Sequence, residues 1–123
     1  MSYQITQTGA PPYILIQYLG EVTSKDLLDA VAEAAKLSQD SGLLLFLADC
    51  SRMSVGHSEL VLRQVLTIIE QSKIPPAFKE AILLPKAGTP VESASLYETT
   101  ARNRGYNVRL FENKEDALKW LLA

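Results

Sequence analysis

The length, composition and charge of the chain limit the kinds of protein it can be. Its 123 residues suffice for one domain with a buried core, and 47% hydrophobic residues is ordinary for a soluble globular protein. Twelve basic and fourteen acidic residues give a formal net charge of −2, which disfavours nucleic acid and an anionic membrane surface as partners. We therefore expect a single domain over residues 1–123.

The first third of the chain predicts a β-hairpin and then a helix. Strands are expected over residues 3–8 and 13–19, close enough across a Gly-Ala-Pro-Pro turn to pair antiparallel. Thr23 is a capping residue, and Asp26 follows it at the spacing of a capping box. Apolar residues then recur at helical spacing until Gly42, which is a typical helix stop.

The most informative stretch lies in the middle of the chain. Residues 43–48 form a wholly apolar run, which is typical of a parallel strand covered on both faces. Asp49 opens a loop of small and polar residues, and a helix is predicted from Ser58 to about residue 73. Ligands of open α/β sheets collect beyond the carboxyl ends of such strands. We therefore expect any functional site to lie in this loop.

The last third predicts two further strand–helix units. A strand over residues 81–84 precedes a Thr-Pro-Val-Glu helix start, in which Thr89 is the expected cap. A strand over residues 106–111 precedes a last helix capped by Asn113. The order β-β-α-β-α-β-α-β-α predicts an α/β fold, with a mixed, mostly parallel sheet of about five strands and four helices.

Three passages resemble the STAS domain, the fold of bacterial anti-sigma factor antagonists. They are YLGEVT, LFLADCSRMSVGHS and GYNVRLFENKEDALKWL. The chain is also similar to STAS-like proteins grouped near the Sec14 lipid-transfer fold, many of them without an assigned function. The first resemblance implies a regulatory module with a protein partner, and the second implies a carrier for an apolar or lipid-like ligand.

The resemblance also implies a phosphorylation position. Antagonist STAS domains carry an aspartate and a serine after the central strand, and Asp49 and Ser51 match them. A partner kinase then phosphorylates a serine or threonine at the start of the next helix, where Ser58 stands here. His57 replaces an aspartate of that segment, and Glu59–Leu60 replaces a small residue and a glycine.

The expected ligand or partner loop carries Asp49, Ser51, Ser54, His57 and Ser58. Two of these residues also have ordinary structural roles. Ser58 can cap the helix by accepting a backbone N–H bond, or it can carry a phosphate favoured by the helix amino terminus. Asp49 can form an Asx-type turn, or it can order the loop for a ligand or partner.

Cys50, His57 and Asp49 suggest a nucleophile with its base and orienting group. Adjacent strand residues point to opposite faces, however, so Asp49 and Cys50 are poorly placed to act together. One histidine, one cysteine and scattered carboxylates are also too few for a metal site. We therefore predict no catalytic residue, no metal and no cofactor, and an enzyme using Cys50 or His57 is a third hypothesis.

The second helix is more apolar than a surface helix needs to be. Leu62, Val65, Leu66 and Ile69 would fill an ordinary buried stripe, and Leu60, Val61 and Ile68 lie outside it. A neighbouring helix could cover the extra residues, or they could form a homodimer interface or line an apolar pocket. The sequence favours a non-enzymatic, cytoplasmic interaction module with a protein partner or a second copy, over a ligand carrier.

Overall fold

The computed structural model of the chain describes residues 2–86 and 88–123, without the side chain of Thr89. It contains the predicted α/β succession of strands and helices. The elements are β1 (Tyr3–Thr8), β2 (Tyr13–Gly20), α1 (Ser24–Ser41), β3 (Leu45–Met53), α2 (Glu59–Gln71), β4 (Lys79–Leu83), α3 (Thr89–Asn103), β5 (Asn107–Phe111) and α4 (Lys114–Leu121). No helix in these two ranges is both long enough and apolar enough to cross a membrane.

The strands form one mixed sheet in the order β1-β2-β3-β4-β5. Strands β1 and β2 pair antiparallel as the predicted hairpin, and every other neighbouring pair is parallel. Helices α1, α2 and α3 cover one face, while α4 packs against β3, β4 and β5 on the other. The predicted fold class and the mostly parallel sheet are confirmed.

The two faces of the sheet have separate cores because strand side chains alternate between them. In β3, Phe46 and Ala48 face the three-helix side, and Leu47 faces α4. In β4, Ile82 faces the three-helix side and Ala81 faces α4. The three-helix side holds the larger core, and it is the side on which a pocket is found.

Local capping residues fix several of the helix ends. The Thr23 hydroxyl accepts the backbone N–H of Asp26, and Asn113 caps α4 in the same manner. Gly42 ends α1 with a φ of 77°, a conformation that glycine adopts without strain. Helix α3 has Gly88 at its N-cap, and the predicted capping side chain of Thr89 lies outside the described residues.

Several strand ends differ from the sequence-based prediction by one or more residues, and two of these differences affect the site. Strand β3 does not stop at residue 48, because Leu19 and Gly20 of β2 pair with Arg52 and Met53. The loop before α2 is therefore shorter than predicted and covers only residues 54–58. Strand β4 begins two residues earlier than predicted, since its first residues pair with both β3 and β5.

Candidate functional site

Asp49 lies in the middle of strand β3 and forms two hydrogen bonds to Ser51. Its Oδ1 accepts the backbone N–H of Ser51 at 3.0 Å and the Ser51 hydroxyl at 2.5 Å. The strand register shifts at this point, because Gln17 pairs with Asp49 but Leu19 pairs with Arg52. Two residues of β3 thus lie opposite one residue of β2, as in a β-bulge. The predicted Asx-type turn is confirmed, although it lies within a strand rather than at its end.

His57 joins the loop before α2 to two other parts of the fold. Its backbone N–H donates to the Ser93 hydroxyl at 2.8 Å, and that hydroxyl donates to the His57 carbonyl at 3.1 Å. The ring atom Nε2 lies 2.8 Å from the carbonyl oxygen of Val22, which precedes α1. Since a carbonyl only accepts, Nε2 carries the hydrogen in this contact. His57 thus joins the loop to the segment before α1 through its ring and to α3 through its backbone.

Ser58 caps α2 and remains exposed. Its hydroxyl accepts the backbone N–H of Val61 at 3.3 Å, so the predicted cap is confirmed. The neighbouring Glu59 side chain forms an ion pair with Arg63 at 3.6 Å. Ser54 also lies exposed in the same loop. The Ser58 hydroxyl therefore has both a structural role and an open approach from solvent.

The extra apolar residues of α2 have different surroundings. The predicted stripe of Leu62, Val65, Leu66 and Ile69 is buried. Val61 and Ile68 are partly buried, and Val61 packs against the core on the three-helix side. Leu60 is 67% exposed, the one large hydrophobic residue with high exposure in the described part of the chain. Packing against the core thus accounts for Val61 but not for Leu60.

The structure does not bring together Cys50, His57 and Asp49 as a nucleophile with its base and orienting group. Cys50 lines a pocket on the three-helix side, whereas Asp49 bonds to Ser51 outside that pocket. Burial raises the pKa of the Cys50 thiol strongly, and the nearby Glu80 and Asp49 carboxylates raise it further. A protonated thiol is a poor nucleophile. Among the described residues no group of three His, Cys, Asp or Glu side chains is arranged to hold a metal ion.

The pocket lies beneath α2, between the sheet and the helices α1, α2 and α3. Its volume is about 100 Å³. Most of its lining is apolar, including the aromatic rings of Phe46 and Phe78, which meet edge to face at 5.7 Å. The polar side chains in its wall are Tyr18, Cys50, His57, Glu80, Ser93 and Tyr97.

Glu80 is the unusual group in this pocket. Its Oε1 accepts a hydrogen bond from the Tyr97 hydroxyl at 2.7 Å. Burial raises the pKa of Glu80 to about 7, and the Tyr97 hydrogen bond partly opposes that rise. Burial and the Glu80 carboxylate in turn raise the pKa of Tyr97. Burial thus favours the neutral form of this carboxyl at pH values at which an exposed glutamate is ionised.

Sequence reasoning missed Glu80 because it began the fourth strand at residue 81. Because β4 begins at Lys79, Glu80 belongs to the strand. It lies two residues before Ile82 and therefore on the same face of the sheet. The register also places Glu80 beside Phe46 and Val108, two core residues. An acidic residue at a core-facing strand position was the signal that could have identified the site.

The chain matches no protein-family model. It also matches no curated protein. Solved structures similar to it include an uncharacterized DUF3478 protein from Shewanella loihica PV-4 with a SpoIIAA-like fold, at 20% identity and a TM-score of 0.62, covering 97% of this chain and 91% of that one.

Two anti-sigma factor antagonists are also similar in structure. For SpoIIAA in its unphosphorylated form the identity is 10% and the TM-score 0.58, covering 98% of this chain and 96% of that one. For the antagonist from Mycobacterium paratuberculosis the values are 13% and 0.65, covering 99% and 96%. The fold implied by the sequence resemblance is thus confirmed, and the chain has a SpoIIAA-like, or STAS-like, fold.

Proposed function

We propose that the chain is a non-enzymatic regulatory module that binds a protein partner through the amino-terminal surface of α2. This surface consists of Ser54, Ser58, Glu59 and Leu60, all of them exposed. The observation that carries the proposal is the 67% exposure of Leu60, which lies in the first turn of α2, two residues after the helix cap Ser58. A single exposed leucine is ordinary, so it is the position of Leu60 in the helix turn capped by Ser58 that supports a docking role.

The arrangement also suits control by phosphorylation. The Ser58 hydroxyl is exposed at the amino terminus of a 13-residue helix. A phosphate there would be favoured by the free backbone N–H groups and the helix dipole. Glu59 would repel the phosphate, but its ion pair with Arg63 weakens that repulsion. We propose that a phosphate on Ser58 changes the affinity of this surface for the partner.

The similar structures support the same kind of function. Two of them are named as anti-sigma factor antagonists, and one of these is described in an unphosphorylated form. An antagonist is a protein that opposes another protein, and the mention of an unphosphorylated form of SpoIIAA implies that this one neighbour also has a phosphorylated form. By analogy with them, we propose a protein partner for this chain, which could also be a second copy of itself.

Site-specific photo-crosslinking tests the proposal. A photoreactive phenylalanine replaces Leu60 in one variant and Lys119 in a control variant, whose side chain is 73% exposed on α4, across the sheet. The proposal predicts a discrete crosslinked product at position 60 that is absent at position 119 and is reduced by Ser58→Asp. Equal crosslinking at both positions would exclude this surface as the docking site.

A carrier for an apolar ligand is the second candidate function, and the pocket beneath α2 is the observation in its favour. Its volume of about 100 Å³ is well below the roughly 300–1,000 Å³ of pockets that enclose drug-sized ligands. The pocket is therefore too small for the lipid-like ligand that the sequence resemblance implied. The pocket suits a much smaller molecule.

A further inference from the structure

The pocket beneath α2 combines an apolar wall with one acidic side chain. We propose that it binds a small aromatic molecule carrying one hydrogen-bond donor, and that the Glu80 carboxyl accepts that donor. This proposal is independent of protein binding at the amino-terminal surface of α2. Three properties of the pocket support it: its size, its unused polar capacity and its position in the fold.

The size of the pocket fits one aromatic ring. Protein interiors are close-packed, and an unfilled apolar cavity destabilises the fold. An engineered apolar cavity of about 150 Å³ in another protein stays dry and binds benzene. The pocket here is of about 100 Å³, and Tyr18, Phe46 and Phe78 contribute aromatic rings to its wall. A single-ring molecule would supply van der Waals contacts that the side chains lining the cavity lack.

The polar capacity of Glu80 is only partly used. Glutamate is almost never buried unless it is paired, and a carboxylate has two oxygens that together accept several hydrogen bonds. The bond from Tyr97 engages Oε1. Within residues 2–86 and 88–123 no donor forms a hydrogen bond to Oε2. Every side-chain nitrogen or oxygen in these ranges that is fully enclosed does have a hydrogen-bond partner. Oε2 therefore keeps accessible surface, and Glu80 lines the pocket.

The pocket also reaches the edge of the sheet where ligands of α/β proteins bind. Met53, the last residue of β3, and His57 in the following loop both line it. Ser93 and Ala94, in the second turn of α3, line the same end. This end lies beyond the carboxyl ends of the parallel strands. This end is therefore the part of the pocket nearest to the edge at which a ligand would enter.

Two probes of nearly identical shape test the proposal. 4-Methylphenol carries one donor, and in para-xylene a methyl group replaces the hydroxyl. Titration of the full chain is followed by the amide signals in ¹H–¹⁵N correlation spectra. We expect both probes to shift signals of pocket residues, with 4-methylphenol binding about tenfold more tightly because its hydroxyl gains one hydrogen bond to the Glu80 carboxyl.

Two variants locate the binding. Ala94→Leu fills the pocket and should abolish binding of both probes, while Ser95→Leu, at the neighbouring exposed position, should leave binding unchanged. Glu80→Met keeps the length of the side chain and removes its oxygens, so it should abolish the preference for 4-methylphenol. Leu60→Asp should not alter the binding of either probe, which separates this proposal from partner docking.

Several outcomes would overturn the proposal. These are no binding of either probe, equal affinity for the two probes, signal changes confined to surface residues, or undiminished binding by Ala94→Leu. If a variant does not fold, intermolecular nuclear Overhauser effects between 4-methylphenol and the Phe46 and Phe78 rings of the wild-type protein decide the question. Their absence at saturating probe would also contradict the pocket as the site.

Discussion

The Nε2 atom of His57 lies 2.8 Å from the carbonyl oxygen of Val22, a fully buried residue. This contact joins the loop before α2 to the segment before α1. The loop is joined to α3 as well, through the two hydrogen bonds between the His57 backbone and Ser93. The surface proposed for partner binding thus begins on a fixed loop, which favours a preformed docking site.

Removal of the His57 ring should destabilise the protein. His57→Ala leaves the Val22 carbonyl without its donor, which costs about 1–3 kcal/mol in the free energy of unfolding. Urea denaturation measures the loss. His57→Gln retains a side-chain N–H donor and should lose less than the alanine variant. Equal losses in the two variants would show that the hydrogen bond to Val22 contributes little.

Substitutions at Ser58 separate its capping role from a regulatory one. Ser58→Ala removes the acceptor for the Val61 N–H and should lower the free energy of unfolding by about 1 kcal/mol. Ser58→Asp supplies another good cap and should retain nearly wild-type stability. The measurement is urea denaturation of both variants at neutral pH. A large loss of stability in Ser58→Asp would contradict the cap geometry and prevent its use as a phosphate mimic.

Glu80 should make stability fall as the pH rises. Its pKa is about 7 in the folded protein and about 4.5 in the unfolded chain, so between these values the unfolded chain loses the proton first. Below pH 4.5 Glu80 is protonated in both states and does not lower the free energy of unfolding. Above pH 7 it is ionised in both states and lowers the free energy of unfolding by about 3 kcal/mol.

Glu80→Gln removes that titration. Relative to wild type, the variant should therefore gain stability across pH 4.5 to 7 and keep a constant advantage above it. Chemical denaturation at several pH values measures the difference. Glu92→Gln, at an exposed position of α3, is the matched control for the loss of one carboxylate. A stability difference for Glu80→Gln that does not vary with pH would contradict the burial of this carboxyl.

The Cys50 thiol should react slowly in the folded protein. Burial raises its pKa strongly, so little thiolate is present at pH 8. Reaction with a disulfide reagent should be complete within the mixing time in denaturant and much slower in native buffer. Rapid reaction of the native protein would revive Cys50 as a nucleophile and weaken the non-enzymatic interpretation.

The sequence predicted those features that depend on neighbouring residues. The caps at Thr23, Ser58 and Asn113 form hydrogen bonds within three residues, so their residue types identify them directly. The end of β3 was predicted wrongly because it depends on pairing with Gly20, more than thirty residues away. Asp49 was recognised as a turn residue, but its place within a bulged strand follows from the same distant pairing.

The pocket could not be predicted because it results from how three helices pack on the sheet. A pocket was one of three explanations for the apolar excess of α2, but Val65 and Ile69 of the ordinary stripe line the pocket, whereas the extra residues Leu60, Val61 and Ile68 do not. Nothing local, however, indicated that Tyr97 would meet Glu80 across the sheet–helix interface. The sequence likewise did not determine the exposure of Leu60, because that exposure depends on how α1 and α3 pack beside α2.

The crosslinking yield at position 60, compared with that at position 119, tests the central claim most directly. In cell extract, the variant with the photoreactive residue at position 60 should give a discrete crosslinked product, either with one partner protein or with a second copy of the chain. That product should decrease in the Ser58→Asp background and be absent at position 119. A background level of crosslinking at position 60, or a yield there that Ser58→Asp leaves unchanged, would contradict a regulated docking surface at the start of α2.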